Sequence, residues 1–506
     1  MQAGCPNSGV RRCVFAIFLH LSINTVSAAD WPQYRGPNHD GISSEIIRTN
    51  WTSQPPQQLW KVPLGAGLSS LTIQNGRVFT MERHGNTITG REFCVALNAS
   101  TGAKLWEADI DLADYPDEGV GSDDGPRSTP TVDDDRVYAL GSYLNLVCLN
   151  VTNGVVIWSR NLVTDYTSGV ISWQSAGSPL VVGDLVYVAA ATASNRLFAF
   201  NKHTGALVWR KHNDTMTQAS PVFATIANVP QVIFFTQSGL VSVKPDTGDQ
   251  LWRYPFPFST STAASAVVAN NLVYCSAAYG VGGGAVRITN NAGTQTATEV
   301  WRTSGSRQNH WATPIYHDGD FYGVYGHGSL SLQCVDAISG LVKWQQAGVG
   351  YGSVLKAGKY LTVLEDDGWL VLVQLSTNSY QEIDRFRALT GKCWNNAAVS
   401  DGVFYVRSTL EAAAYLVAPP RVQLSSTTGT VTPQGFLLKL TSDDGQPIDS
   451  QRAARISVFH TTDPATPLLN WNLLQQPLVP VGNTLQVNDP AANGAAQRFY
   501  RAEEAP

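Results

Sequence analysis

With 506 residues the chain exceeds an ordinary single domain, which leaves roughly two to four small domains or one large repetitive fold. Its 34 Lys and Arg against 39 Asp and Glu give a net charge of −5, and charged residues make up only 14%, which makes the chain a poor polyelectrolyte partner for nucleic acid. The 43% hydrophobic content excludes a disordered chain, while 44 Gly, 26 Pro and 14 Trp point to many short strands joined by tight turns.

The first element is an address. Arg11 and Arg12 precede an apolar run from Cys13 to Leu21, and Val26, Ser27, Ala28 and Ala29 are small residues suited to signal-peptidase cleavage. Residues 1–29 are therefore predicted to be a secretory signal, giving an exported, periplasmic or secreted chain that starts near Asp30. No later stretch approaches the roughly 20 apolar residues of a membrane-spanning helix. Beyond the signal, Cys94, Cys148, Cys275, Cys334 and Cys393 are odd in number and widely spaced, which predicts apolar core residues rather than a disulfide framework.

A repeat follows. Ala96, Leu97, Asn98, Thr101, Gly102 and Trp106 recur at the same offsets as Cys148, Leu149, Asn150, Asn153, Gly154 and Trp158, then at Ala199 to Trp209, Ser242 to Trp252 and Cys334 to Trp344. The Asn or Asp four residues before the glycine, replaced by Lys244 in the fourth copy, is suited to an Asx turn, and the glycine to a positive φ. The first position is always small, as expected where neighbouring sheets press closely. The tryptophan is expected to bury its ring and pass its N–H to the next repeat. A second recurring segment precedes each hairpin, beginning at Ser70, Ser128, Ser178, Ser220, Ala264, Thr313, Ser353 and Asn396. Eight units of about 45 residues and four strands describe a β-propeller. The eighth lacks its outer strand, and Gln58 to Val62 is a tryptophan strand without a unit, so the chain's start is predicted to complete the last sheet and leave no long free edge. Residues 30–418 are thus read as an eight-bladed propeller. Residues 421–506, with alternating runs at Phe436 to Leu440 and Ile456 to Phe459, are read as a small β-rich C-terminal domain.

The repeat resembles the tryptophan-docking motif of quinoprotein alcohol dehydrogenases and of the wider PQQ-like propeller proteins, which include BamB-type outer-membrane assembly factors. The likeness covers about Trp31 to Val417, and Trp31, Pro32, Gln33, Tyr34, Arg35, Gly36 and Pro37 look like the opening of exported PQQ-like repeat proteins. For the dehydrogenases the resemblance implies adjacent cysteines, a catalytic Asp and a calcium set of Glu, Asn and Asp. No two cysteines here are adjacent, and the carboxylate set does not align residue by residue.

The resemblance places the candidate site at the inner rim of the loop-rich face: Arg127, Trp173, Gln174, Asn309, His310, Trp311, Tyr351, Cys393, Trp394 and Asn395. Converging aromatic and polar groups suit a planar or sugar-like ligand or a peptide, and would otherwise plug the channel. His310 stands without a second histidine or carboxylate at metal spacing, His327 being in another loop. The segment from Glu107 to Asp124 reads as a solvated acidic loop, although oxygen-rich segments also suit calcium. Gly280 and Gly282 to Gly284 read as a strand connection, and Asp366 to Gly368 as a tight turn. The leading expectation is a monomeric, non-catalytic propeller binding a protein partner or small ligand on that face, as in a cell-envelope scaffold. The alternative is a PQQ- and calcium-dependent oxidoreductase.

Overall fold

The computed structural model describes residues 30–504 except 87–88, 114–124, 193, 261, 306–307, 425–429 and 496. The signal reading and the acidic positions from Asp114 to Asp124 lie outside the described residues. Among those described, no helix is long and apolar enough to cross a membrane. Two compact units divide between Ala418 and Pro419.

The unit ending at Ala418 is built from eight sheets with four antiparallel strands each, the seventh carrying a short fifth strand paired in parallel. The first runs from the inner strand Thr72–Gln74 through Arg77–His84 and Gly90–Asn98 to the outer strand Lys104–Ala113. Six more follow in chain order, with inner strands Thr131–Asp133, Leu180–Val182, Val222–Ile226, Val267–Ala269, Ile315–His317 and Ser353–Ala357. The eighth has inner strand Ala398–Ser400, then Val403–Arg407 and Glu411–Leu416, and its outer strand is Gln57–Pro63 from the chain's start. The chain's start thus completes the last sheet, as expected from the sequence, with Trp60 opposite Ala414.

Local chemistry explains the repeat. Asn98 Oδ1 accepts the backbone N–H groups of Ser100 and Thr101 at 2.9 and 3.0 Å, and Gly102 takes φ +71°. The small first position has a different cause from the expected one. Ala96, Cys148, Ala199, Ser242 and Cys334 lie directly opposite Trp106, Trp158, Trp209, Trp252 and Trp344 within their own sheets, so they make room for the indole beside them. Each ring then reaches the following sheet: Trp60 Nε1 donates to Ala99 O (2.7 Å), Trp158 to Lys202 O (2.9 Å) and Trp344 to Ser376 O (2.8 Å).

Two sheets depart from this rule. In the fifth the turn, with Gly293 N–H on Asn290 Oδ1, lies eight residues before Trp301 instead of four, and Trp252 Nε1 of the fourth donates to Gln231 Oε1 of its own sheet (2.5 Å). Gln231 also meets Gln295 of the fifth sheet, and both amides are buried. In the seventh, Asp384 occupies the tryptophan position opposite Leu372 and accepts the N–H and hydroxyl of Thr52. The neighbouring Trp51 is fully buried and stands edge-on to Phe386 and Phe404, supplying an indole from the N-terminal segment.

The second recurring segment is a belt of hydroxyls. The backbone N–H of Ser70 donates to Thr129 Oγ1, that of Thr129 to Ser178 Oγ, Ser178 to Ser220 Oγ, Ser220 to Ser265 Oγ and Ser265 to Thr313 Oγ1, at 2.9–3.1 Å. Ser353 Oγ donates to Asn395 O, and Asn396 N–H returns to Ser70 Oγ. In the fifth sheet the belt residue is Ser265, one beyond Ala264.

Residues 31–45 cross the ring. Trp31 bridges to Ile73 of the first sheet, Pro32 O accepts Val132 N–H of the second, and the buried Arg35 guanidinium donates to Thr313 O and Pro314 O of the sixth at 2.6 and 2.8 Å. Ile42–Ser43 then pairs in parallel with the end of Ser353–Ala357 in the seventh. Most of these contacts fall on the inner strands beyond their belt residues, which leaves the opposite mouth to the rim.

Two readings need correction. Gly282 to Gly284 open a strand, Gly282–Asn291, rather than a connection, and the absent Cβ of Gly284 makes room for Tyr254. Glu107, Asp109 and Asp111 lie on the strand Lys104–Ala113, where Asp111 Oδ2 accepts the N–H groups of Tyr143 and Asn145, so this part of the segment is not a loop.

The second unit holds two sheets, one built around Gly435–Ser442 and Thr484–Asp489, the other around Ile456–Thr461 and Phe499–Glu504. They share a core of Leu440, Val458, Leu485 and Val487. Buried Asp489 accepts Arg498 Nε and the Tyr500 hydroxyl.

Candidate functional site

The rim is the position two residues before each belt residue. Leu68, Ala176 and Ala263 fill it in the first, third and fifth sheets, Arg127 and Gln218 in the second and fourth, and Trp311, Tyr351 and Trp394 in the sixth, seventh and eighth. Three consecutive sheets thus present aromatic side chains from equivalent positions, and each ring is half-buried. Trp311 lies 4.6 Å from Tyr351 and 4.5 Å from Trp394 between ring centroids, with Tyr351 and Trp394 at 5.2 Å. The Lys392 ammonium sits 4.7 Å from the Trp394 centroid, a cation held against the π face.

Across the ring, Arg127 Nη1 donates to Trp173 O at 2.7 Å, and Gln218 Nε2 to Trp173 O and Gln174 O at 2.9 and 3.2 Å. Trp173 and Gln174 both adopt left-handed backbone, φ +72° and +56°, a costly pair for non-glycine residues. Those carbonyl bonds hold the turn in place.

The predicted residues therefore separate into groups. His310, Trp311, Tyr351 and Trp394 come together; Arg127, Trp173 and Gln174 form the second cluster. Asn309 belongs to neither, being fully buried and bonded to the Tyr274 hydroxyl and Val324 O at 2.7 Å each. Cys393 is buried, and burial pushes its thiol up to about 12, which makes it inert at neutral pH. Asn395 is buried, its backbone carbonyl serving the belt while its side-chain amide has no hydrogen-bond partner.

Sequence reasoning missed the neighbours of His310. His327 and His310 have centroids 5.2 Å apart, and Tyr279 meets them at 4.5 and 5.0 Å respectively. Gln308 ties these loops together, its carbonyl accepting Gly326 N–H and its side chain accepting Gly280 N–H. Burial, with His327 nearby, pushes the His310 imidazole down to about 3, so it is neutral at physiological pH.

The residues present do not fit the quinone and calcium that the resemblance implies. The rings of His310, Tyr351 and Trp394 already lie against Trp311, and the cavity lined by His310, Trp311, Leu330 and Tyr351 has about 10 Å³ of room, enough for one water. The five cysteines among the described residues are free and buried. Among the described residues the one group of three potential metal donors is Glu82, His84 and Glu107, on the strands Arg77–His84 and Lys104–Ala113 of the first sheet, and Lys104 is ion-paired to both carboxylates.

Comparison with known proteins agrees with this architecture. A family model described as outer membrane protein assembly factor BamB matches residues 50–169 and 91–346, together more than half of the chain. BamB of Moranella endobia is 22% identical over 363 residues, 69% of this chain and 77% of that protein. Quinoprotein ethanol dehydrogenase of Pseudomonas putida is 27% identical over 147 residues, 26% of this chain; the chain spans only 23% of that relative's length. Among solved structures, BamB from Moraxella catarrhalis superposes with TM-score 0.50 at 15% identity, covering 71% of this chain and 97% of that one. Quinohemoprotein alcohol dehydrogenase from Comamonas testosteroni superposes with TM-score 0.56 at 12% identity, covering 80% and 83%. With its four-stranded sheets, its recurring tryptophans and the family match across most of the repeats, the chain belongs to the PQQ-like β-propeller family represented by the outer membrane assembly factor BamB.

Proposed function

We propose that this is an exported, non-catalytic propeller that binds a protein partner at the open mouth of its ring, in the manner of a cell-envelope scaffold. The observation that carries this reading is the trio Trp311, Tyr351 and Trp394, set side by side on three consecutive sheets and half exposed. Grouped indole and phenol rings with a polar surround are the residue types that anchor protein interfaces. The N-terminal crossing occupies the other end of the inner strands, so a partner has this face to approach. Kinship with an outer membrane assembly factor supports a protein partner over a metabolite, and Arg11, Arg12 and the apolar run to Leu21 support export.

Crosslinking in the native host tests the reading. Wild-type protein is expected to capture a defined partner that the double variant Trp311→Ala, Trp394→Ala does not; identical capture by both would reject the rim as the contact. The second reading, a quinone- and calcium-dependent oxidoreductase, is favoured by the stretch shared with quinoprotein ethanol dehydrogenase. It requires the rim rings to part and admit a planar cofactor.

A further inference from the structure

Two histidines that the sequence keeps 17 positions apart meet at the mouth, and their geometry suits a metal ion. His310 follows Gln308 and Asn309 into the sixth sheet, its backbone carbonyl fixed by Ala263 N–H and Ala264 N–H at 3.0 and 3.1 Å. His327 ends the strand Asp320–His327 at a tight reversal between Gly326 and Gly328, both in left-handed backbone. Gly326 N–H donates to Gln308 O at 2.8 Å, so the residue that aligns one histidine also fixes the loop carrying the other. Their ring centroids are 5.2 Å apart and their planes at 86°. An ion about 2.0 Å from one nitrogen of each ring in tetrahedral geometry places imidazole centroids about 5 Å apart. His310 Nδ1 is buried without a hydrogen-bond partner, an unusual state for a ring nitrogen and one that ligation would resolve.

We propose that His310 and His327 form a binding site for a divalent late transition ion of the copper or zinc class, with its remaining coordination positions open to water or to a donor brought by a partner. Imidazole nitrogens select such ions over calcium and magnesium, which take oxygen ligands. Tyr279, itself in left-handed backbone at φ +58°, shields the pair on one side, and the Trp311 ring lies 4.0 Å from that of His310. The site differs in ligands and place from the Glu82, His84 and Glu107 group, where Lys104 already balances the carboxylates.

The test is titration of the purified full chain with Cu2+, followed by indole fluorescence and by electron paramagnetic resonance. One equivalent is expected to quench fluorescence and to give a spectrum with two imidazole nitrogens. His327→Gln, at an exposed turn, and His310→Gln should each weaken binding by at least about tenfold, since even outer-shell losses cost 10- to 100-fold. His84→Gln should leave it unchanged, and far-UV circular dichroism verifies that each variant is folded. No Cu2+ binding, a spectrum without imidazole nitrogen, wild-type affinity in either folded site variant, or loss on His84→Gln instead would each overturn the assignment.

Discussion

The backbone N–H of Asn396 donates to the hydroxyl of Ser70 at 3.0 Å, joining residues 326 positions apart and bringing the eighth sheet back to the first. Both residues are buried, so no water can replace the bond. Ser70→Ala leaves that amide unpaired and is expected to cost about 1–3 kcal/mol in urea unfolding. Ser70→Thr, which keeps the hydroxyl, should lose less; equal losses would mean that the belt bond contributes nothing.

Glycine at the repeat turn serves two needs that substitution can separate. Gly205 has φ +65°, and a Cβ there would come within 2.6 Å of the Trp158 ring. Gly183, in the turn between Leu180–Val182 and Leu185–Ala189 of the same sheet, has φ +57° with nothing within 4 Å of that position. Gly183→Ala should therefore cost only backbone strain, about 1–2 kcal/mol. Gly205→Ala should cost clearly more, because the indole of the preceding sheet must move. Thermal unfolding of the two variants side by side measures the difference.

Gln231 replaces a turn carbonyl. Its Oε1 accepts Trp252 Nε1 and Ser242 Oγ at 2.5 and 2.8 Å, and its amide reaches Val229 O at 3.0 Å. Gln231→Leu strands two buried donors and should destabilise by at least about 2 kcal/mol. Adding Trp252→Phe should recover part of that loss, because one donor is then removed.

Glu365 opens the hairpin whose next residue, Asp366, accepts Tyr351 N–H. Burial is the largest influence on its carboxyl and pushes it up to about 7, with Arg385 opposing and the neighbouring carboxylates adding to the rise. A carboxyl raised in the folded state favours folding below its unfolded value of 4.5, and that contribution is lost as pH rises through 7. Glu365→Gln should therefore match wild type near pH 4.5 and gain stability relative to it at pH 8. A variant that loses ground at pH 8 would show the Arg385 contact to dominate.

The propeller was legible because its determinants are local and recur: the Asx residue, the glycine, the small residue opposite the indole and the belt hydroxyl all sit at fixed offsets. The closing strand at Trp60 was legible by subtraction. The substitutes were not. Gln231 for a turn carbonyl, Trp51 beside a sheet whose own position holds Asp384, and Arg35 reaching the sixth sheet each act once, through long-range contacts without a period. At the site, the aromatic trio could be chosen from its equivalent positions. Asn309 shared that neighbourhood in sequence yet turned inward to Tyr274, and His327 came to His310 only because a hairpin tip folds back over Gln308.

The most direct measurement is dye reduction by the purified chain supplied with pyrroloquinoline quinone and calcium, using alcohols and sugars as substrates. A binding propeller whose rim rings lie against one another predicts no turnover above the protein-free background. Quinone-dependent turnover that disappears on Trp311→Ala would contradict it.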